Sequence, residues 1–241
     1  MIRGSKVLAR LAGACLMSTI VSVPAAASTI TLTGGDSGEG YAPLGTTFAA
    51  VNLGEAAAFV VQGVTFAVSD PRITLSAVTI PNGSENVASL GASANDVSLQ
   101  SVFHSSVVNL GPITVTVTGL TAGATYQFDF FVGYQGAGRT EQFSSAGLAT
   151  VTDSLVYPTV GVPGPAMDVR QLVVPNAAGT IVTTISITSP AADFGTSLNG
   201  LSITTSPASG PVVPEPASLL LVGTGIISAL ARRRSKGLAP R

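Results

Sequence analysis

The sequence has few of the side chains that enzymes and metal sites use most. It contains one cysteine, Cys15, one histidine, His104, and no tryptophan among its 241 residues. These counts exclude an internal disulfide and any zinc site built from several imidazoles or thiolates. A Ser-His-Asp triad would need His104, but the residues around it do not resemble a nucleophile elbow. We therefore expect no metal, no cofactor and no enzymatic activity, with His104 in a loop or at a strand end.

Charged residues are also scarce, at 10% of the chain, and they are unevenly distributed. Residues 28–210 contain three arginines, no lysine and eleven acids, so this region has a net charge of −8. Because such a surface repels a phosphate backbone, we expect no nucleic-acid partner. We interpret the scattered acids as a solvated surface, although two of them meeting across a cleft could hydrolyse a glycoside. Asp36 and Glu39 lack the spacing of a calcium loop, so we predict a turn there.

The N-terminal segment has the pattern of a secretory signal peptide. Basic residues precede an apolar stretch at residues 11–23, and small residues follow, including Ala25 and Ala27. This order predicts a signal helix that is cleaved between Ala27 and Ser28. The alternative is a lipoprotein signal that ends at Cys15, but the apolar stretch continues well past that residue. With Cys15 removed, the mature protein would have no thiol.

From residue 28 onward, apolar and polar residues alternate with the period of a pleated strand. In residues 113–118 the alternation is strict, which indicates a strand with one buried face. Clusters of Gly, Pro and Asn separate such segments and predict turns. We predict strands at residues 29–33, 59–68, 73–80, 97–103, 113–118, 125–134, 149–156, 171–174, 180–188 and 198–204. The pattern predicts an all-β domain, a two-sheet antiparallel β-sandwich or jelly roll without long helices.

One loop has a local pattern that supports a sandwich. The segment from Leu120 through Gly123 to Tyr126 follows one predicted strand and opens the next. It resembles the tyrosine corner of immunoglobulin-like sandwiches, in which the tyrosine hydroxyl bonds to the backbone of the crossing loop. Residues 119–131, and more loosely 198–203, are similar to exported bacterial proteins with a galactose-binding-like jelly roll. That similarity implies the fold rather than sugar binding.

The C-terminal region combines three elements in a fixed order. They are a linker at residues 206–216 that ends in Pro214-Glu215-Pro216, an apolar segment at 217–231, and a basic tail at 232–241 that begins with Arg232, Arg233 and Arg234. A helix of this apolar length spans about 22 Å, less than the roughly 30 Å hydrocarbon core, so it suits a transient transmembrane anchor. By the positive-inside rule, the arginines stay cytoplasmic and the β domain lies beyond the inner membrane.

This arrangement resembles the PEP-CTERM sorting signal of Gram-negative bacteria. The resemblance implies that an exosortase, an integral-membrane cysteine protease, recognises Pro214, Glu215 and Pro216 and removes the tail. The protein would then pass to the cell surface or the extracellular matrix, in bacteria that make exopolysaccharide. An ordinary single-pass anchor with a proline-rich stalk is the alternative interpretation of the same residues.

We therefore predict five parts along the chain: a signal peptide (1–27), a β-sandwich ectodomain (28–205), a linker (206–216), a transmembrane helix (217–231) and a cytoplasmic tail (232–241). The predicted function is that of an exported, non-catalytic surface or matrix protein associated with exopolysaccharide. Its predicted partners are an exosortase, the membrane before processing, and polysaccharide. Two alternatives stay open, a carbohydrate-active enzyme on the same fold and a membrane-anchored adhesin that binds protein.

Overall fold

The computed structural model describes residues 27–32, 41–54, 56–76, 80–82, 87–133, 139–157, 164–188 and 195–205. In chain order, its elements are β1 (Ala27–Leu32), β2 (Thr47–Asn52), β3 (Phe59–Val61), β4 (Val64–Phe66), β5 (Ile73–Ser76), β6 (Ile80–Asn82), α1 (Ala94–Val102), β7 (Ser106–Asn109), β8 (Ile113–Val117), β9 (Tyr126–Gly133), β10 (Thr140–Ala146), β11 (Thr150–Val156), β12 (Ala166–Val173), β13 (Ile181–Ile187), β14 (Thr196–Leu198) and β15 (Gly200–Thr205). The prediction of a mostly β domain is confirmed.

Two five-stranded antiparallel sheets form the body of the domain. The first sheet has the strand order β1-β12-β9-β15-β2, and the second sheet has the order β11-β10-β13-β8-β5. A small sheet, β14-β7-β6, and the hairpin β3-β4 complete the architecture. Buried side chains from both large sheets meet in one main core, as in a sandwich.

The main core follows from strict alternation along the strands. In β8, Ile113, Val115 and Val117 are buried and the intervening threonines are partly exposed. Phe128 and Phe130 of β9 project into this core and pack near Phe143 of β10, with ring centroids 5.5 Å apart for Phe130 and Phe143. The hydrophobic effect of burying these side chains joins the two sheets.

A second core covers the opposite face of the first sheet. Phe131, one position after Phe130, points to this side because side chains alternate along a strand. Its ring makes edge contacts with Tyr41, Phe66 and Phe103, at centroid distances of 5.3, 5.5 and 5.8 Å. Helix α1 and the β3-β4 hairpin also contribute buried residues to this core. Strand β9 is therefore buried on both faces.

The prediction of a strand at residues 97–103 is wrong, because this segment forms helix α1. Ser93 caps the helix: its Oγ accepts from the Asp96 amide at 3.1 Å, and Asp96 Oδ2 accepts from the Ser93 amide at 3.0 Å. This capping box satisfies amides that a helix start leaves unpaired. Leu99 and Val102 are buried at helical spacing, whereas Val97 is 55% exposed.

Other predicted strand limits also differ from the structure. Residues 59–68 form the two strands β3 and β4, because Gln62 and Gly63 have positive φ angles of 52° and 75° and make a two-residue hairpin turn. Of the strand predicted at 73–80, the described residues are divided between β5, which includes Ile73–Ser76, and β6, which begins at Ile80. The alternation pattern did not predict β2, β7 or β10. In β10 the reason is physical, since Glu141 and Ser145 occupy buried inward positions that normally hold apolar residues.

Candidate functional site

An acid pair lies on the face of the first sheet that carries the second core. Asp129 on β9 and Asp168 on β12 are fully buried, and Arg170 is the cross-strand partner of Asp129. Arg170 Nε is 2.7 Å from Asp129 Oδ1, and Arg170 Nη2 is 3.1 Å from Asp168 Oδ2. The arginine side chain is 20% exposed. One guanidinium therefore links two carboxyl groups at the border between protein interior and solvent.

Neighbouring strands surround this acid pair with further polar groups. Gln127 Nε2 donates to both oxygens of Asp129, at 3.0 and 2.8 Å, and to the carbonyl of Ala42 at 3.1 Å. Ser202, the partner of Asp129 on β15, is 2.7 Å from the hydroxyl of Tyr41. These contacts hold the segment after residue 40 against the sheet, so the cluster has a structural role in addition to its charge.

Burial, more than any other effect, raises the pKa of both acids. The pKa of Asp168 lies well above its usual range, because burial is reinforced by the negative charge of Asp129 and by a hydrogen bond between the two carboxyl groups. The pKa of Asp129 is also raised by burial, against the opposing charge of Arg170. Both carboxyl groups therefore hold a proton to higher pH than a solvated aspartate does. The pair can store a proton, but neither carboxyl group is exposed to a substrate.

A second buried ion pair joins β10 to the small sheet. Arg139 Nη2 is 3.1 Å from Glu141 Oε1, and both side chains are almost completely buried. Arg139 also donates to the Gly195 carbonyl and to Ser197 Oγ, each at 2.7 Å. The hydroxyl of Tyr157 donates to Glu141 Oε2 at 3.1 Å. Such a network fixes the position of β14 relative to β10 and β11.

The interpretation of the acids as a solvated surface is wrong for four of them: Asp96, Asp129, Glu141 and Asp168 are buried. Asp96 caps a helix, and the other three lie in ion pairs. A local signal existed for Asp129, because it interrupts an otherwise apolar run between Phe128 and Phe130. Its charged partners, Asp168 and Arg170, were not predictable from sequence, since they come from another strand far along the chain.

The described part of the chain contains several residues singled out from the sequence. Ala27 and Ser28, which flank the predicted cleavage site, are the first residues of β1. The Tyr126 hydroxyl accepts a hydrogen bond of 3.0 Å from the Thr121 amide, Leu120 is buried, and Gly123 has a φ of 78°. His104 is exposed in the loop between α1 and β7.

Other predicted site residues lie outside the described residues. They are Ala25 of the cleavage site, the Asp36 to Glu39 turn, the motif Pro214, Glu215 and Pro216, and the cluster Arg232, Arg233 and Arg234. The predicted membrane segment at 217–231 also falls there. Across the ranges that the structure describes, no helix has the length and apolar character to cross a membrane. Within the same ranges, no three His, Cys, Asp or Glu residues lie together as metal ligands would.

Comparisons with solved structures find only distant likenesses. The extracellular domain of ANXUR2 from Arabidopsis thaliana is 10% identical, with a TM-score of 0.39, over 65% of this chain and 48% of that one. The CBM35 from Cellvibrio japonicus Abf62 is 14% identical, with a TM-score of 0.29, over 75% of this chain and 95% of that one. A ruminal GH26 endo-beta-1,4-mannanase is 12% identical, with a TM-score of 0.28, over 42% of this chain and 19% of that one. Likenesses this weak bear on neither fold nor function.

The C-terminal region gives the informative match. No curated protein matches the chain. Residues 212–235 match the PEP-CTERM protein-sorting motif, which includes Pro214, Glu215, Pro216 and the three arginines. This motif indicates an exported protein that is anchored in the membrane through its C-terminus before an exosortase cleaves it.

Proposed function

We propose that this protein is a non-catalytic component of the cell surface or extracellular matrix that associates with exopolysaccharide. The observation that carries the proposal is the match of residues 212–235 to the sorting motif, a few residues after the last described strand of the β domain, which ends at Thr205. Cleavage at the motif would free this domain from the membrane. The signal peptide predicted at residues 1–27 would direct the domain across the inner membrane.

The β domain has properties that suit an extracellular component. Several of its buried polar groups join separate strands through ion pairs and hydrogen bonds, as with Arg170 and Asp129, or Arg139 and Ser197. Residues 28–210 contain no cysteine, so oxidising surroundings change no thiol there. These features support a durable scaffold rather than a reactive centre.

An enzyme is the second candidate, because the structure brings Asp129 and Asp168 together. Glycosidases use two carboxyl groups that stand about 5–9.5 Å apart, with the sugar between them. Here both groups are fully buried and are bound by the same Arg170 guanidinium, which favours a structural pair. Purified protein should therefore leave exopolysaccharide from its host intact. Turnover that is abolished in Asp129→Asn and Asp168→Asn variants would establish the enzyme instead.

Cell fractionation tests the proposed sorting. We expect the wild-type protein at the cell surface or in the matrix, and a Glu215→Ala variant in the inner membrane with its tail retained. A Glu39→Ala variant is the matched control, since it removes one carboxylate outside the motif and should be sorted like the wild type. If the wild-type protein also stays in the inner membrane at full length, the C-terminal segment is a plain anchor and the proposal fails.

A further inference from the structure

The outward face of the second sheet consists mainly of hydroxyl side chains. Inward residues of its strands, such as Ile113, Phe143 and Ile185, lie in the main core, so the alternating positions point away from the domain. We call this outward surface the hydroxyl face. Its hydroxyl residues are Thr74, Ser76, Thr114, Thr116, Thr140, Ser144, Thr150, Thr152, Ser154, Thr184 and Ser186. Gln142, Ala146, Val156 and Val182 complete it.

Strand register aligns these hydroxyl groups in rows. One row crosses all five strands through the cross-strand partners Thr152, Ser144, Thr184, Thr114 and Ser76. At a strand spacing of about 4.8 Å, the row is about 19 Å long. The cross-strand pairing shows no register shift along this row. The result is a regular two-dimensional array rather than a scatter of polar residues.

The array is rigid as well as regular. Threonine is β-branched, and its χ1 angle is restricted on a strand. The same strands are anchored from beneath by fully buried Val115, Phe143 and Ile185. Ser144 Oγ and Thr152 Oγ1 are 3.3 Å apart, so neighbouring strands also contact one another at the surface. A partner would lose little conformational freedom of the protein on binding.

The composition of the hydroxyl face excludes most kinds of partner. It has no ionisable side chain, because Glu141 and Asp153, the charged residues on these strands, occupy inward positions. It has no aromatic ring on which a single sugar could stack, and it lacks the aromatic, Met and Arg residues that mark protein interfaces. The net charge of −8 over residues 28–210 repels anionic polymers but not neutral ones. A neutral, hydroxyl-rich partner matches the face.

We propose that the hydroxyl face binds packed chains of a neutral polysaccharide. This inference rests on the proposed function for the location of the protein, and it names the surface and the class of polymer. One hydroxyl contact replaces a hydrogen bond to water and contributes little. A surface with repeating hydroxyl groups forms many such contacts at once, so the assembled polymer is bound more tightly than a single short chain.

A sedimentation assay with microcrystalline cellulose, an insoluble neutral polymer, tests the inference, and calcium alginate beads provide the anionic comparison. The main variant is Thr114→Val/Thr184→Val, which removes two central hydroxyl groups without changing side-chain shape. Its matched control is Thr47→Val/Thr65→Val, at exposed strand positions outside the face. A Thr184→Glu variant places a hydrated charge at the centre of the row. Urea midpoints and circular dichroism establish that each variant is folded.

We expect the wild type and the matched control to sediment with cellulose and not with alginate. The Thr114→Val/Thr184→Val variant and the Thr184→Glu variant should each bind cellulose at least about tenfold more weakly than the wild type. Equal binding by folded variants and wild type, or no binding of the wild type to cellulose, would overturn the inference. Self-association that both face variants abolish would assign the face to a second copy instead. The assay uses the form of the protein that the host accumulates, and an unprocessed form is kept in detergent. Cellulose binding is therefore measured whether or not the protein is sorted, and a failure of sorting is distinguished from a failure of binding.

Discussion

At the scale of single residues, the raised pKa of the buried Asp168 couples folding to pH. The raised pKa of Asp168 means that the folded protein holds a proton that the unfolded chain releases above a pKa of about 3.9. The folded state therefore binds more protons than the unfolded state in this window. The stability that Asp168 contributes is fully present below about pH 4 and is lost as pH rises through the folded pKa.

We predict that Asp168→Asn reduces this pH dependence. The amide is neutral at every pH and has nearly the same shape as the carboxyl group. The free energy of unfolding of the wild type should fall above pH 4 by up to about 1.4 kcal/mol per pH unit relative to the variant. Urea unfolding from pH 4 to 8 measures the free energy of unfolding of the wild type and of the variant. Parallel curves for the two proteins would show that Asp168 is ionised in the fold.

The buried ion pair of Arg139 and Glu141 gives a second prediction. Glu141→Gln leaves the Arg139 charge in the interior without its carboxylate, and we expect a loss of about 3–5 kcal/mol in urea unfolding. Asp70→Asn is the comparison, because its partner Arg72 is 41% exposed and solvent screens that pair. It should cost at most about 1 kcal/mol. Similar losses in both variants would contradict the structural role of the buried pair.

Some contacts of single residues were predictable from sequence and others were not. The segment from Leu120 to Tyr126 is contiguous, so its hydrogen-bonding pattern could be proposed from local spacing. Arg170 reaches Asp129 from another strand, and no local pattern indicates that pairing. Arg139 lies only two positions before Glu141, but the burial of this pair depends on tertiary packing. For this reason the sequence predicted a solvated acidic surface, whereas the structure has buried ion pairs.

At the scale of elements, helix α1 depends on its N-cap. We predict that Ser93→Ala lowers the stability of the domain by about 0.5–2 kcal/mol, because the Asp96 amide loses its acceptor. Ser98→Ala is the control on the same helix, since alanine favours a helix and Ser98 is outside the cap. The urea midpoints of the two variants measure the difference. An unchanged midpoint for Ser93→Ala would mean that packing of Leu99 and Val102 alone holds the helix.

The same helix explains one limit of predicting elements from alternation. Residues 97–103 fit a period of two almost as well as a helical period, and only the Ser93 and Asp96 pair distinguishes them. Strand β8 was predictable because its threonines and aliphatic residues alternate strictly. Strand β2 was not, because four of its six residues are buried and both of its faces pack.

At the scale of the whole molecule, the sheets present two different outer faces. The first sheet is covered by α1, the β3-β4 hairpin and the segment that contains Tyr41, whereas the second sheet exposes the hydroxyl face. Sequence analysis predicted the two-sheet architecture from alternation. It could not predict that threonines and serines from five strands form one row, because register depends on tertiary pairing.

The central claim is that the chain is exported and processed so that the β domain is released. The most direct test is the intact mass of the protein isolated from its native host, for the wild type and the Glu215→Ala variant. We predict that the wild-type protein begins at Ser28 and ends near Pro214, and that the variant retains its C-terminal segment. A wild-type mass that still includes Arg241 would contradict processing by an exosortase and leave a membrane-tethered β-sandwich.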